Sequence, residues 1–112
     1  MEQRRDVFQA IADPTRRDII ALLAKHPQNL NTLAEQFDMS RQAVSLHVKI
    51  LQECGLLSIL QEGRERHCHL QPKKLDEVTR WIEPLRKQFE SRFEQLDQVL
   101  AKQKSKNKTP RK

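Results

Sequence analysis

A chain of 112 residues holds one domain, or one domain with an extension, and at 37% hydrophobic its core is modest enough for a dimer interface to help it. Net charge is +6, but residues 101–112 alone carry six basic residues and no acid, so the first hundred residues balance. The longest apolar run, Ile19 to Ala24, is too short to span a membrane, and MEQRRDVF lacks the apolar stretch of a signal peptide, so a cytoplasmic location is expected.

The first helix is expected from Arg4 to Ala12, with Val7, Phe8 and Ile11 as its apolar stripe. Asp13-Pro14 then starts a second helix, because aspartate caps and proline suits the first helical position. That helix runs to about Lys25, burying Ile19, Ile20, Leu22 and Leu23, with Arg16 and Arg17 in its first turns; His26-Pro27 ends it. Asn29 is the expected cap of a third helix, Leu30 to Phe37, whose apolar residues Leu30, Leu33, Ala34 and Phe37 have helical spacing. Phe37, Asp38 and Met39 leave room only for a tight turn before Ser40.

From Ser40 to Cys54 the pattern predicts a fourth helix, capped by the Ser40 hydroxyl and stopped by Gly55, which can take the left-handed conformation. Placed around a helical axis, Ala43, Val44, His47, Val48, Ile50, Leu51 and Cys54 share one side. Gln42, Ser45, Leu46 and Lys49 share the other, with Arg41 and Gln52 at its edge. Two short amphipathic helices joined by a tight turn make a helix-turn-helix, although a helical hairpin with no nucleic-acid role reads the same at this level. The polar, basic N-terminal end is the end that recognition helices push into the major groove.

After Gly55 the period changes. Leu56 to Gln61 is β-permissive, Glu62-Gly63 marks a turn, and Arg64 to Leu70 returns as a second strand. A hairpin directly after a helix-turn-helix is the layout of a winged helix. Arg64 and Arg66 lie at its tip, where a guanidinium can reach a phosphate or a narrow minor groove.

Pro72 opens the last element. Leu75, Val78, Ile82, Leu85, Phe89, Phe93, Leu96 and Leu100 recur at steps of three and four, the near-heptad stripe of a long amphipathic helix. Pro84 is expected to kink it or to break it in two. The stripe either folds back on its own core or packs, with the first helix, on a second copy. The second arrangement is the one expected, with Val7, Phe8, Ile11, Ile82, Leu85, Phe89, Phe93, Leu96 and Leu100 as dimerisation residues. Two copies would present two recognition helices to half-sites about one DNA turn apart. The expected fold is therefore mainly α with a small β-hairpin, a winged helix-turn-helix of order α-α-α-α-β-β-α. Residues 1–100 would form this domain and 101–112 a disordered basic tail, either adding non-specific phosphate affinity or only solubilising.

ADPTRRDIIALL (Ala12 to Leu23), LAEQFDMSRQAVSLHVKILQECGLL (Leu33 to Leu57) and EGRERHCHL (Glu62 to Leu70) together resemble the ArsR/SmtB winged-helix transcriptional repressors. The resemblance covers roughly residues 5–100 and implies a homodimer, joined by its first and last helices, that binds a palindromic operator and often represses its own gene. The segment LDEVTRWIEPLRKQFESRFEQLDQVL is similar to a branch of that family without a metal site. Metal-sensing members place ligands in the helix before the recognition helix or in the last helix. Leu30 to Phe37 and Lys73 to Lys102 have no Cys or His, so no metal role carries over. Family members usually have a polar or basic residue where this chain has Leu46, which either contacts a thymine methyl or weakens phosphate binding.

The remaining chemistry-bearing residues are few. His67 and His69 share one strand face, but a metal site needs three or four ligands, so surface or interface histidines are expected. His47 reads as a buried, hydrogen-bonded histidine. Cys54 and Cys68 form no CxxC and suit a reducing compartment. With Gly55 and Gly63 as the only glycines there is no phosphate loop, and no Ser/His/Asp set has supporting motifs; no catalytic residue, metal or cofactor is expected. The expectation is a sequence-specific DNA-binding regulator, a metal-independent homodimeric repressor that touches no membrane. Ser40, Arg41, Gln42, Ser45, Leu46, Lys49, Arg64 and Arg66 would meet double-stranded DNA. The alternatives are a redox- or ligand-responsive sensor using Cys54 and Cys68, and a winged-helix protein-interaction module without DNA binding.

Overall fold

The computed structural model describes residues 5–107, and its elements follow the expected order with one addition. Helix α1 spans Val7–Ile11, α2 Pro14–Lys25, α3 Leu30–Glu35 and α4 Arg41–Glu53. Strands β2 (Leu57–Glu62) and β3 (Glu65–Leu70) form the hairpin, a 3₁₀ turn covers Pro72–Lys74, and α5 runs Leu75–Asn107. The addition is β1, Gln28–Asn29, which pairs antiparallel with β3 to give a sheet of order β1-β3-β2. Arg4, the expected start of α1, lies outside the described residues.

Local chemistry sets each boundary. The Asp6 carboxylate accepts from the Gln9 amide at 2.9 Å, and Asp13 Oδ2 accepts from the Arg16 amide at 3.1 Å, so α1 and α2 both start on aspartate caps. The Asn29 side chain accepts from the Asn31 amide at 2.7 Å and starts α3. Helix α3 ends at Glu35 rather than Phe37. Phe37 still packs, half-buried, against the core.

Helix α4 stops by two bonds that run back over its last turn. The Leu56 amide donates to the Leu51 carbonyl at 3.0 Å and the Gly55 amide to the Gln52 carbonyl at 3.1 Å. This is the Schellman arrangement, and it puts Gly55 at φ +82. Leu51 and Leu56, which the motif brings together, are both fully buried. Leu56 therefore belongs to the helix stop, and β2 begins one residue later than expected.

In the hairpin, Leu57 pairs with Leu70 and Glu62 with Glu65, leaving Gly63 and Arg64 as a two-residue loop. Only Gly63 has positive φ, +66, which is the demand of a Gly-X hairpin turn. Arg64 thus sits in the turn itself and not at the start of the returning strand.

A single core draws on α1 to α4 and the hairpin. It contains Val7 and Ala10 of α1, Ile19 and Leu23 of α2, Leu30, Leu33 and Ala34 of α3, Val44, Val48 and Leu51 of α4, then Cys54, Leu56, Leu57 and Cys68. Leu75 and Val78, the start of α5, pack half-buried against it. This compact unit ends at Val78, and a second unit begins at Thr79 inside α5. One expected dimerisation residue is corrected here. Val7 is 1% exposed in the core of its own chain, because α1 turns that side of its single short stripe inward.

Helix α5 continues through Pro84 without a break, although proline lacks the N–H that would bond to the Arg80 carbonyl. It also outlasts the apolar stripe. Residues 101–107, AKQKSKN, are helical, as a run rich in lysine with no glycine or proline allows, and residues 108–112 of the expected tail lie outside the described residues.

The stop of α4 is directly testable. A Cβ at Gly55 would meet Lys74 Cε at 3.0 Å, on a backbone that L residues rarely adopt. Gly55→Ala is expected to destabilise the protein by about 1–2 kcal/mol, read as a lower urea midpoint with unchanged slope. An unshifted midpoint would mean that the helix end does not need its left-handed residue.

Candidate nucleic-acid interface

The site is built from the uncovered side of α4. Its inner side buries Val44, Val48 and Leu51, with Ala43, His47 and Ile50 half-buried beside them. That fixes the helix's rotation. Arg41, Gln42, Leu46, Lys49 and Gln52 are then exposed, and Ser45 is half-buried between them. Leu46 is 58% exposed and lies in the middle of this polar surface. Ser40 spends its hydroxyl on the cap, with Oγ accepting from the Ala43 amide at 3.1 Å. As a DNA-facing residue it is left mainly with its backbone.

The hairpin brings its arginines to the same side. A cleft between the start of α3, the first turn of α4 and the hairpin is lined by Asn29, Asn31, Arg41, Arg64, Glu65 and Arg66. A second hollow, further along α4, is lined by Leu30, Ser45, Val48, Lys49, Gln52, Ile59 and Arg66. Arg66 borders both, so it stands between the helix and the wing rather than at the tip alone. Three guanidiniums around one cleft concentrate positive potential, and Glu65 is the acid set among them. Asn31 and Gln52 were not among the residues expected to meet DNA. Asn31 could have been found as the exposed polar residue next to the α3 cap, and Gln52 had been placed at the edge of the α4 polar face.

Two structural ties hold α4 from behind. Arg5 Nε donates to Glu53 Oε1 at 2.7 Å; this bond holds the Glu53 carboxyl below its ordinary range. Arg16 is only 7% exposed; its Nε donates to the Ala10 carbonyl and its Nη2 to the Gln9 carbonyl, both at 2.9 Å. Its Nη1 donates to His47 Nδ1 at 3.3 Å. His47 is hydrogen-bonded on the packed side, as expected, but half-buried rather than buried.

His67 and His69 lie on one face of β3 and are answered by acids. His67 Nε2 is 3.3 Å from Glu65 Oε1, and His69 Nε2 is 3.7 Å from Glu62 Oε2. Among the described residues no group of three or more His, Cys, Asp or Glu is arranged to hold a metal ion. Cys54 and Cys68 are both free and buried. Burial pushes the Cys54 thiol up against the opposing pull of Arg5 and Arg16, and pushes the Cys68 thiol up against that of Arg66. A switch thiol needs the reverse, a lowered pKa and access. At neutral pH both thiols are expected to react with a thiol reagent at least about tenfold more slowly in the native protein than in denaturant. Equal rates would reopen the redox reading.

The expected dimerisation residues divide. Phe8 and Ile11 are half-buried against the core of their own chain. Ile82, Leu85, Phe89, Phe93, Leu96 and Leu100 are exposed on α5, together with Trp81 and Val99. No helix among the described residues is long and apolar enough to cross a membrane.

Comparison with known proteins agrees with this geometry. A family model described as a helix-turn-helix domain matches residues 11–59, which span α2 to β2. The transcriptional repressor SdpR of Bacillus subtilis is 32% identical over 77 residues, covering 69% of this chain and 86% of that protein. The HTH-type transcriptional regulator Rv2034 of Mycobacterium tuberculosis is 40% identical over 68 residues, 61% of this chain and 64% of that one. The crystal structure of the ArsR family transcriptional regulator RHA00566 superposes with a TM-score of 0.69 at 30% identity, covering 81% of this chain and 98% of that one. An ArsR-like regulator from Rhodococcus sp. RHA1 gives 0.63 at 31% identity over 83% and 88% of the two chains. Cap, turn, recognition helix and wing thus occur here in the order those regulators share, and the chain belongs to the ArsR family of winged-helix, DNA-binding transcriptional regulators.

Proposed function

We propose that this regulator is a metal-independent, non-enzymatic repressor that works in the cytoplasm as a homodimer on a palindromic operator. The observation that carries the reading is the bare outer face of α4, set beside the arginines of the wing on one side of the body. In this reading Arg41, Gln42, Ser45 and Leu46 meet base edges in the major groove, and the Ser40 backbone sits at the phosphate where the helix enters. Gln42 offers a bidentate amide of the kind that pairs with adenine, and Leu46 an apolar surface for a thymine methyl. Lys49 neutralises phosphate along the groove wall, and Arg64 and Arg66 engage the adjoining backbone or minor groove.

The dimer rests on α5. A face carrying Ile82, Leu85, Phe89, Phe93, Leu96 and Leu100, all exposed in the single chain, is a poor surface to leave in water. A second copy of the same helix covers it with an identical stripe, which closes a twofold and sets two recognition helices against two half-sites. The name of the Bacillus subtilis relative supports repression, since that protein is described as a transcriptional repressor.

Two variants separate base reading from charge. Gln42→Ala is expected to lose about 1–3 kcal/mol against one base position while leaving affinity for random DNA little changed. Arg64→Ala is expected to weaken both alike and to reduce the slope of log affinity against log salt by about one contact. Both are read by titrating the protein against the DNA flanking its own gene and against a scrambled duplex over a salt series. Equal losses on both duplexes for Gln42→Ala would take that residue off the bases. An unchanged salt slope for Arg64→Ala would take Arg64 off the phosphates.

A further inference from the structure

The DNA-facing surface leaves one polar cluster unused, and it lies behind α4. Arg16 reaches from α2 under α1, where the Gln9 and Ala10 carbonyls hold two of its nitrogens, and its third nitrogen meets His47 Nδ1 at 3.3 Å. A guanidinium has only donors, so this contact requires a lone pair on Nδ1. Only a neutral ring, with its proton on Nε2, can accept it. The same Nδ1 lies 3.9 Å from Asp13 Oδ2.

Asp13 is ionised and already engaged. Burial works against its charge, but backbone bonds from Arg16 and Thr15 and the nearby His47 and Arg16 outweigh that and hold its carboxyl below the ordinary value. Arg16 and Asp13, from α2 and its cap, are the charged groups set against the ring. From α1 only the carbonyls that hold Arg16 contribute, and among the described residues no ion pair or hydrogen bond reaches the ring from α3 or the hairpin.

Protonation of His47 removes the acceptor and leaves two cations 3.3 Å apart. It also creates an N–H that faces an ionised carboxylate 3.9 Å away. The ring therefore has two partners, chosen by its own charge: Arg16 when neutral, Asp13 when charged. The second pairing competes with the cap of α2 and releases the tie from Arg16 to α4.

We propose that His47 is a positioning residue for DNA binding, which holds the recognition helix in its DNA-competent seat through Arg16 only while its imidazole is neutral. The proposal rests on the reading of α4 as the recognition helix. Its consequence is a DNA affinity that falls on mild acidification for a reason unrelated to the groove.

The test uses the whole protein and a duplex that it enriches from a random-sequence pool. Affinity is measured between about pH 8 and about pH 5.5, the span over which an imidazole changes charge. His47→Gln keeps an oxygen that can accept from Arg16 but does not titrate, and it retains every other histidine. The wild type is expected to lose at least about fivefold more affinity across this span than His47→Gln. Coincident pH profiles overturn the proposal. A second measurement needs no variant. By linkage, DNA that selects the neutral ring must lower the pH at which His47 protonates, read from its ring nitrogen signals with and without the duplex. A midpoint that stays or rises on binding overturns the proposal even if His47→Gln fails to fold. If no duplex is enriched, the base-reading role of α4 fails and this proposal falls with it. If one is enriched and the midpoints agree, only the role of His47 falls.

Discussion

The whole site depends on burying one side of α4 while leaving the other bare. Val44, Val48 and Leu51 enter the core completely. Each contributes roughly 1.5–3 kcal/mol relative to exposure, which is enough to fix the rotation of the helix about its own axis. Once that rotation is fixed, the positions of Arg41, Gln42, Ser45, Leu46 and Lys49 follow without any contact of their own. The side chains of the polar face need no polar contacts of their own to be placed there. It is what remains outside when the apolar face is inside.

The ends of the helix decide how that face is aimed. At the start, Ser40 spends its hydroxyl on the Ala43 amide, which leaves the other first-turn amides pointing outward where a phosphate can use them. At the end, the left-handed Gly55 reverses the chain so that Leu56 and Leu57 go straight into the core. The hairpin must then leave from a fixed point, and its register from Leu57–Leu70 to Glu62–Glu65 carries Arg66 back beside α4. Cys68, fully buried at the root of β3, serves this geometry as a small apolar residue. The histidines around it and the acids that face them line the wing without forming a metal group among the described residues.

Much of this was legible in the sequence, and the reasons are specific. The Asp13, Asn29 and Ser40 caps and the Gly55 stop are local chemistry, so reading four residues was enough to start three helices and end one. The inner and outer faces of α4 followed from spacing, because a strong apolar stripe admits only one rotation. Other features depend on long-range partners. The two-residue strand β1 has no alternation to detect and exists only because β3 lies beside Gln28 and Asn29. Val7 looked like a surface residue of a terminal helix, yet α1 is too short to divide its apolar side between a core and a partner. Arg16 read as a cation in a first helical turn, and only the folded chain shows two α1 carbonyls and His47 converging on it. The placement of Arg64 within the turn depended on a one-residue shift that periodicity does not resolve.

The remaining link runs from one chain to the DNA through the apolar face of α5. In the proposed dimer two such faces cover each other, and the spacing of the recognition helices becomes a property of the assembly. A hydroxyl-radical footprint on the duplex that the protein enriches measures that spacing directly. Two protected blocks are expected on one face of the DNA, with centres about one helical turn, or a small whole number of turns, apart. A single block, or two blocks on opposite faces, would contradict the proposed dimer.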